Sequence, residues 1–120
     1  MLFRSAVKDT AKSVYTGLIK IRDTADKAEA FQTNRNLTLS SGAWAESVPN
    51  LEIETNDVKC SHASTVGPID DEQRFYLESR GIRPEIAERL VVFGFFADVI
   101  DRLPAAAQPD VLRQKVGARI

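Results

Sequence analysis

Two patterns of apolar and polar residues divide the chain near Gly67-Pro68. From Ser13 to Val66, short runs alternate between apolar and polar residues or are rich in β-branched ones, as strands are. Bends are predicted between these runs, at Asn34 and Asn36, Ser41 and Gly42, and Asn56 and Asp57. The predicted strands are SVYTGLIKIR, AEAFQT, NLTLSS, AWAES, NLEIET and DVKCSHASTV.

The close spacing of these runs favours a parallel β-helix, in which each strand stacks on the equivalent strand one coil later. Two-residue hairpin turns of the Asn-Gly or Asp-Gly type are missing between the runs, so a simple meander fits the sequence less well.

The chain becomes helical in character after Gly67-Pro68. Asp70 is a predicted N-cap with Gln73 at the N3 position, which makes a capping box. Gly81 is predicted to end this helix in the left-handed conformation, so the helix covers Asp71 to about Arg80. Helix capping also explains the acidic residues at the start of this segment better than a metal site does.

A second predicted helix runs from Pro84 to about Leu103 and is stopped by Pro104. Pro109 then opens a last, weaker helix. Apolar residues of the second helix form two stripes, Ile86, Leu90, Phe93, Ala97 and Ile100, and Val92, Phe96, Val99 and Leu103. One neighbouring element cannot cover this much apolar surface, so we expect the helix to be buried further by a second copy or a partner.

Composition excludes several classes of function. The 120 residues include 16 Lys and Arg against 17 Asp and Glu, without a long block of either sign, so a nucleic-acid-binding face is not expected. The two predicted helices resemble a DNA-binding helix-turn-helix, but the second helix is largely apolar, so we interpret them as an ordinary αα-hairpin. No glycine-rich phosphate loop is present, so the sequence does not support nucleotide binding by this chain. Because the amino terminus has neither a signal peptide nor a membrane span, we expect a cytoplasmic protein that does not bind membranes.

Cys60 and His62 are the only cysteine and the only histidine of the chain. Residues i and i+2 of a strand share a face, so the two side chains should lie side by side. Three interpretations follow: a buried thiol and a hydrogen-bonded imidazole with a structural role, a metal site shared with another molecule, or a Cys-His nucleophilic pair. A zinc or iron-sulfur site needs about three or four protein ligands, so this chain cannot complete one alone.

The segment VKCSHASTVGPIDDEQRFYLESRGI, followed by LVVFGFFADVIDRLP, resembles the carboxy-terminal part of the SufB/SufD family of iron-sulfur cluster assembly proteins. The upstream segments SVYTGLIKI, AFQTNRNLTLS and PNLEIETNDVKCSH match the last β-helix coils of the family in the same order. The resemblance implies the last coils of a right-handed parallel β-helix at residues 1–67, followed by an α-helical subdomain at residues 68–120. It also implies a fragment of a longer β-helix protein.

The resemblance further implies two partners, a SufB-type subunit that pairs through the β-helix and a SufC-type ATPase that docks on the helical subdomain. His62 aligns with the histidine of the family's nascent-cluster site, and Cys60 would be a secondary thiol, so both would be shared, transient ligands of the cluster. The partner-binding residues assigned on this basis are Tyr76, Phe95, Phe96 and Val99.

We therefore predict a non-catalytic assembly subunit with no cofactor in the isolated chain and a transient iron-sulfur cluster in the complex. The open end of the β-helix would also allow the chain to associate as a homodimer. The alternative is a purely structural interaction domain in which Cys60 and His62 only fill the interior.

Overall fold

The computed structural model describes all 120 residues, which divide into two compact units, Met1–Gly67 and Pro68–Ile120. We call them the strand unit and the helical unit. The strand unit contains five strands, β1 Leu2–Val7, β2 Lys12–Ile21, β3 Glu29–Thr38, β4 Trp44–Ile53 and β5 Lys59–Gly67. The helical unit contains α1 Asp71–Glu78, α2 Pro84–Ile100 and α3 Pro109–Gly117, with a 3-10 turn at Ala105–Ala107.

Consecutive strands of the strand unit alternate between two sheets. One sheet has the order β1-β3-β5 and the other has the order β2-β4, and every pair in both sheets is parallel. Each parallel partner is therefore reached through a strand of the other sheet. The register pairs Leu2 with Thr33, Lys12 with Trp44, and Glu29 with Lys59. The predicted mixture of α and β structure is confirmed, and the strands are parallel.

The strands are longer and fewer than the sequence predicted. AEAFQT and NLTLSS form the single strand β3, while AWAES and NLEIET form the single strand β4. β1 is absent from the prediction, which began the extended region at Ser13. The bends predicted at Asn34 and Asn36 are wrong, because both residues lie inside β3. Turns or bends are present at the other two predicted places, Ser41-Gly42 and Asn56-Asp57.

Polar side chains of β3 face the interior of the strand unit. Gln32, Asn34 and Asn36 are only 2%, 2% and 3% exposed. Asn36 Nδ2 donates to Asn34 Oδ1 at 2.7 Å and to the Thr65 carbonyl at 3.3 Å, and the Ser5 hydroxyl donates to Asn36 Oδ1. Because these bonds replace those to water, asparagine is tolerated inside a strand here. The apolar core beside this row includes Val7, Ile19, Ile21 and Ala45.

The caps of α1 follow the sequence closely. Asp70 is the N-cap, and its carboxylate accepts a hydrogen bond from the Glu72 N–H at 2.9 Å, where a capping box would use the N–H of Gln73. Gly81 has a φ of 84°, which confirms the left-handed residue after the helix. α1 itself ends at Glu78, slightly before the predicted Arg80.

The other two helices begin where proline predicts them, at Pro84 and Pro109. α2 contacts both α1 and α3 and buries Ala87, Val92 and Ile100, but it ends at Ile100 instead of Leu103. None of the helices has the length and hydropathy needed to cross a lipid bilayer.

A change at Gly17 tests how tightly the strand unit is packed. A Cβ at this position would collide with Gln32 Nε2 and lie 2.6 Å from Tyr15 Oη, so both interior side chains would have to move. We expect Gly17→Ala to lower the free energy of unfolding by about 1–3 kcal/mol, as overpacking does. Urea unfolding followed by circular dichroism measures this change.

The matched control is Gly94→Ala in α2, where an added Cβ meets nothing within 4 Å. Alanine should stabilise this exposed helical position by about 0.5–1 kcal/mol. Equal effects of the two substitutions would show that the packing around Gly17 is not tight.

Candidate functional site at the edge strand β5

The two residues singled out by the sequence lie near the start of β5. Cys60 is half-buried and His62 is exposed. In the register with β3, Cys60 pairs with Ala30 and His62 pairs with Gln32. Paired residues of parallel strands share a face, so Cys60 and His62 extend the row of β3 that carries the buried amides.

This row changes from buried to exposed between β3 and β5. Gln32, Asn34 and Asn36 are buried, whereas the residues paired with them in β5, His62, Ser64 and Val66, are exposed. In the sheet, β3 has a strand on each side, whereas β5 has one on only one side. The imidazole therefore stands at the edge of the sheet.

The hydrogen bonds of β5 show which backbone groups point outward. The Lys59 N–H donates to the Ala28 carbonyl at 3.0 Å, so odd-numbered residues of β5 are bonded to β3. Polar groups of successive strand residues point to opposite sides. The N–H and C=O groups that point to the free edge of the sheet belong to Cys60, His62, Ser64 and Val66.

The edge strand of the second sheet differs from β5 in carrying a proline. The N–H groups of Trp44 and Glu54 donate to the carbonyls of Ala11 and Ile21 at 3.0 and 2.9 Å, so even-numbered residues of β4 face β2. Pro49 is odd-numbered, so its backbone faces the free edge of the sheet, where it has no N–H to donate. Proline at such a position reduces pairing with another strand. β5 has no proline, so all four of its outward N–H groups remain donors.

The surroundings of Cys60 and His62 do not contain a complete metal site. No three His, Cys, Asp or Glu side chains come together in a group that could hold a metal ion. The ion pair nearest in sequence joins Lys59 Nζ to Glu29 Oε1 at 3.0 Å, and it already occupies one oxygen of that carboxylate. A metal or cluster held by His62 would therefore need ligands from another molecule.

The predicted partner-binding residues fall into two groups in the helical unit. Tyr76 on α1 is 55% exposed, with the Arg80 guanidinium 3.6 Å from the centre of its ring. Phe95, Phe96 and Val99 on α2 are half-buried, and the two phenylalanine rings contact each other edge to face.

Phe75 is 70% exposed and precedes Tyr76 on α1, although it was not among the predicted partner-binding residues. The two rings line a shallow depression whose rim includes Asp71, Glu72 and Ser79. A signal was present in the sequence, since α1 carries two adjacent aromatic residues in a short helix whose other residues are polar except for Leu77. The structure buries none of the residues of α1. α1 is therefore the more accessible aromatic surface of the helical unit.

The chain is similar to known proteins of iron-sulfur cluster assembly. Residues 1–95 match the SufBD core domain of the SUF system for iron-sulfur cluster assembly. The chain therefore belongs to the SufBD family, and the resemblance predicted from its sequence is confirmed.

Among individual relatives, the chain is 41% identical to the iron-sulfur cluster assembly protein SufD of Escherichia coli over 99% of its own length. It is 45% identical over 87% of its length to SufD of Bacillus subtilis, and 50% identical over 92% to a SufBD family protein of Mycobacterium tuberculosis. These matches cover 27%, 24% and 27% of the relatives, so the chain spans about a quarter of their length.

Proposed function

We propose that the chain is a non-catalytic part of a SUF scaffold. In this proposal β1 to β5 are coils of a right-handed parallel β-helix, and β5 pairs with a SufB-type subunit. The helical unit docks a SufC-type ATPase. The observation that carries the proposal is the free edge of β5, with four outward N–H groups and the exposed His62 beside them.

The position of His62 supports a shared cluster site. A strand added to the edge of β5 would bring its own side chains next to the imidazole, because neighbouring strands lie about 4.8 Å apart. An iron-sulfur cluster needs about four protein ligands, and this chain offers His62 and Cys60. The SufB-type subunit would supply the others, and the nascent cluster is cargo that the complex builds and releases.

A purely structural role is the second candidate, and the burial of Cys60 favours it. The thiol is half-buried beside Ala30, as expected for a cysteine that packs as a small apolar side chain. In that role β5 would still bind a partner strand or a second copy of the chain, but His62 would contribute nothing to cluster assembly.

Proline at Ser64 tests pairing through β5. The N–H of Ser64 points to the free edge, so Ser64→Pro removes a donor for the partner without breaking the ladder to β3, as Pro49 does in β4. One lost backbone bond leaves a carbonyl of the partner unsatisfied, and we expect the affinity for the SufB-type subunit to fall roughly tenfold. Calorimetric titration of the full-length proteins measures this affinity.

The control is Ser64→Ala, which keeps the N–H and should bind like the wild type. Circular dichroism of both variants checks that the strands are retained. Undiminished binding of a folded Ser64→Pro variant would exclude β5 as the pairing edge. Sedimentation of the 120-residue chain alone shows whether the same edge also forms a homodimer.

A further inference from the structure

The side-chain oxygen of Gln32 lies in the interior of the strand unit without a hydrogen-bond partner. Gln32 is 2% exposed, and its Nε2 donates to Tyr15 Oη at 2.7 Å, but its Oε1 is buried without a hydrogen bond. A buried acceptor in this state costs about as much as a lost hydrogen bond, so such atoms are rare in folded proteins.

The amide of Gln32 is fixed from the side of β2. Tyr15 holds its nitrogen, and the absence of a side chain at Gly17 leaves the space that the amide fills. Burial raises the pKa of Tyr15, and the hydrogen bond from Gln32 acts in the opposite direction. With Nε2 engaged, Oε1 is the part of the amide that remains available to another donor.

The residue in register with Gln32 on the neighbouring strand is His62. Both side chains start from the same face of strands that are about 4.8 Å apart, so the imidazole can reach the amide oxygen by rotation about its side-chain torsions. His62 itself is exposed. The histidine therefore stands between a buried acceptor and the open edge of the sheet.

We propose that Gln32 is a positioning residue for His62. Its Oε1 accepts a hydrogen bond from the ring nitrogen that faces the interior, and this leaves the lone pair of the other ring nitrogen directed outward. Histidines that bind metals generally donate their second ring N–H to such an acceptor, which fixes both the tautomer and the ring orientation. The purpose of this arrangement rests on the proposed function, whereas the hydrogen bond itself does not.

Because His62 is the only histidine, its two ring nitrogens can be observed alone by nitrogen-15 NMR of the untagged 120-residue chain. At about pH 8.5, where a free imidazole is neutral, we expect one dominant tautomer and a ring N–H that exchanges slowly with water. Gln32→Met removes the acceptor at similar volume, and the ratio of tautomers should fall by about two- to tenfold, the effect of one neutral hydrogen bond. Gln32→Glu restores an acceptor and should restore the dominant tautomer.

Ser61→Ala is the control, since Ser61 precedes His62 but its side chain points to the opposite face of β5, and this variant should leave the tautomer ratio unchanged within twofold. An unchanged ratio in a folded Gln32→Met variant overturns the proposal. Should that variant not fold, the wild-type spectrum decides, because a mixed and rapidly exchanging imidazole also overturns it. The NMR measurement needs no cluster and no partner, so its outcome is independent of whether the protein assembles iron-sulfur clusters.

Discussion

Replacement of His62 by alanine in the full-length protein should reduce iron-sulfur cluster assembly at least about 100-fold, while the proposed complex with a SufB-type subunit and a SufC-type ATPase should still form. His62 is exposed and makes no contribution to the buried core, so its loss should not unfold the strand unit. Loss of a residue behind a metal ligand already weakens metal binding about 10- to 100-fold, and loss of the ligand should have a larger effect. Cluster yield is measured by visible absorption and iron content after reconstitution.

The neighbour Ser61 supplies the control, because it is also exposed but its side chain points to the opposite face of β5. Ser61→Ala should assemble clusters at the wild-type rate. Normal assembly by the His62→Ala complex would instead support the purely structural role. Loss of the complex together with loss of the cluster would place His62 in the pairing interface instead of the cluster site.

The helices could be predicted because their signals are local. Asp70 caps the first helix, and Gly81 follows its end. Pro84 and Pro109 begin the next two helices, so each signal lies within or next to the helix that it predicts. The predicted ends of α1 and α2 lie two and three residues beyond the observed ends. The last residue of a helix depends on hydrogen bonds that the amino-acid pattern does not determine.

The strand unit was predicted less well because its stability is not local. Asn34 and Asn36 are turn-forming residues by propensity, yet they lie in the middle of β3, where Ser5 and Thr65 from the two neighbouring strands bond to Asn36. Those partners are about 30 residues away in sequence, as the register of the sheet shows. Only the assembled sheet makes an asparagine row compatible with a strand.

The candidate site likewise contains residues that the sequence predicts and residues that only the folded sheet reveals. Cys60 and His62 could be found from the sequence, since they are unique in the chain and lie two residues apart. Gln32 could not, because its relation to His62 depends on the register between β3 and β5. The free edge of β5 also depends on sheet order, which alternation of apolar residues does not determine.

We place the proposed docking surface for the SufC-type ATPase on α1 and not on α2. Phe75 and Tyr76 are 70% and 55% exposed, and no residue of α1 is buried. Phe96 and Val99 are half-buried, so replacing them would weaken the packing of the helices as well as any contact with a partner. Exposed aromatic rings next to carboxylates suit a binding surface with an apolar centre and a polar rim.

Phe75→Ala and Tyr76→Ala should therefore each weaken docking of the SufC-type ATPase by at least about 2 kcal/mol, roughly 30-fold, because aromatic residues dominate the binding energy of such surfaces. Both side chains are exposed, so the melting temperature of the protein should change little. Trp44→Ala, at an exposed aromatic residue of β4 outside the helical unit, is the matched control and should bind the ATPase normally. Surface plasmon resonance with the immobilised ATPase measures all three affinities, and wild-type binding by both α1 variants would exclude α1 as the docking surface.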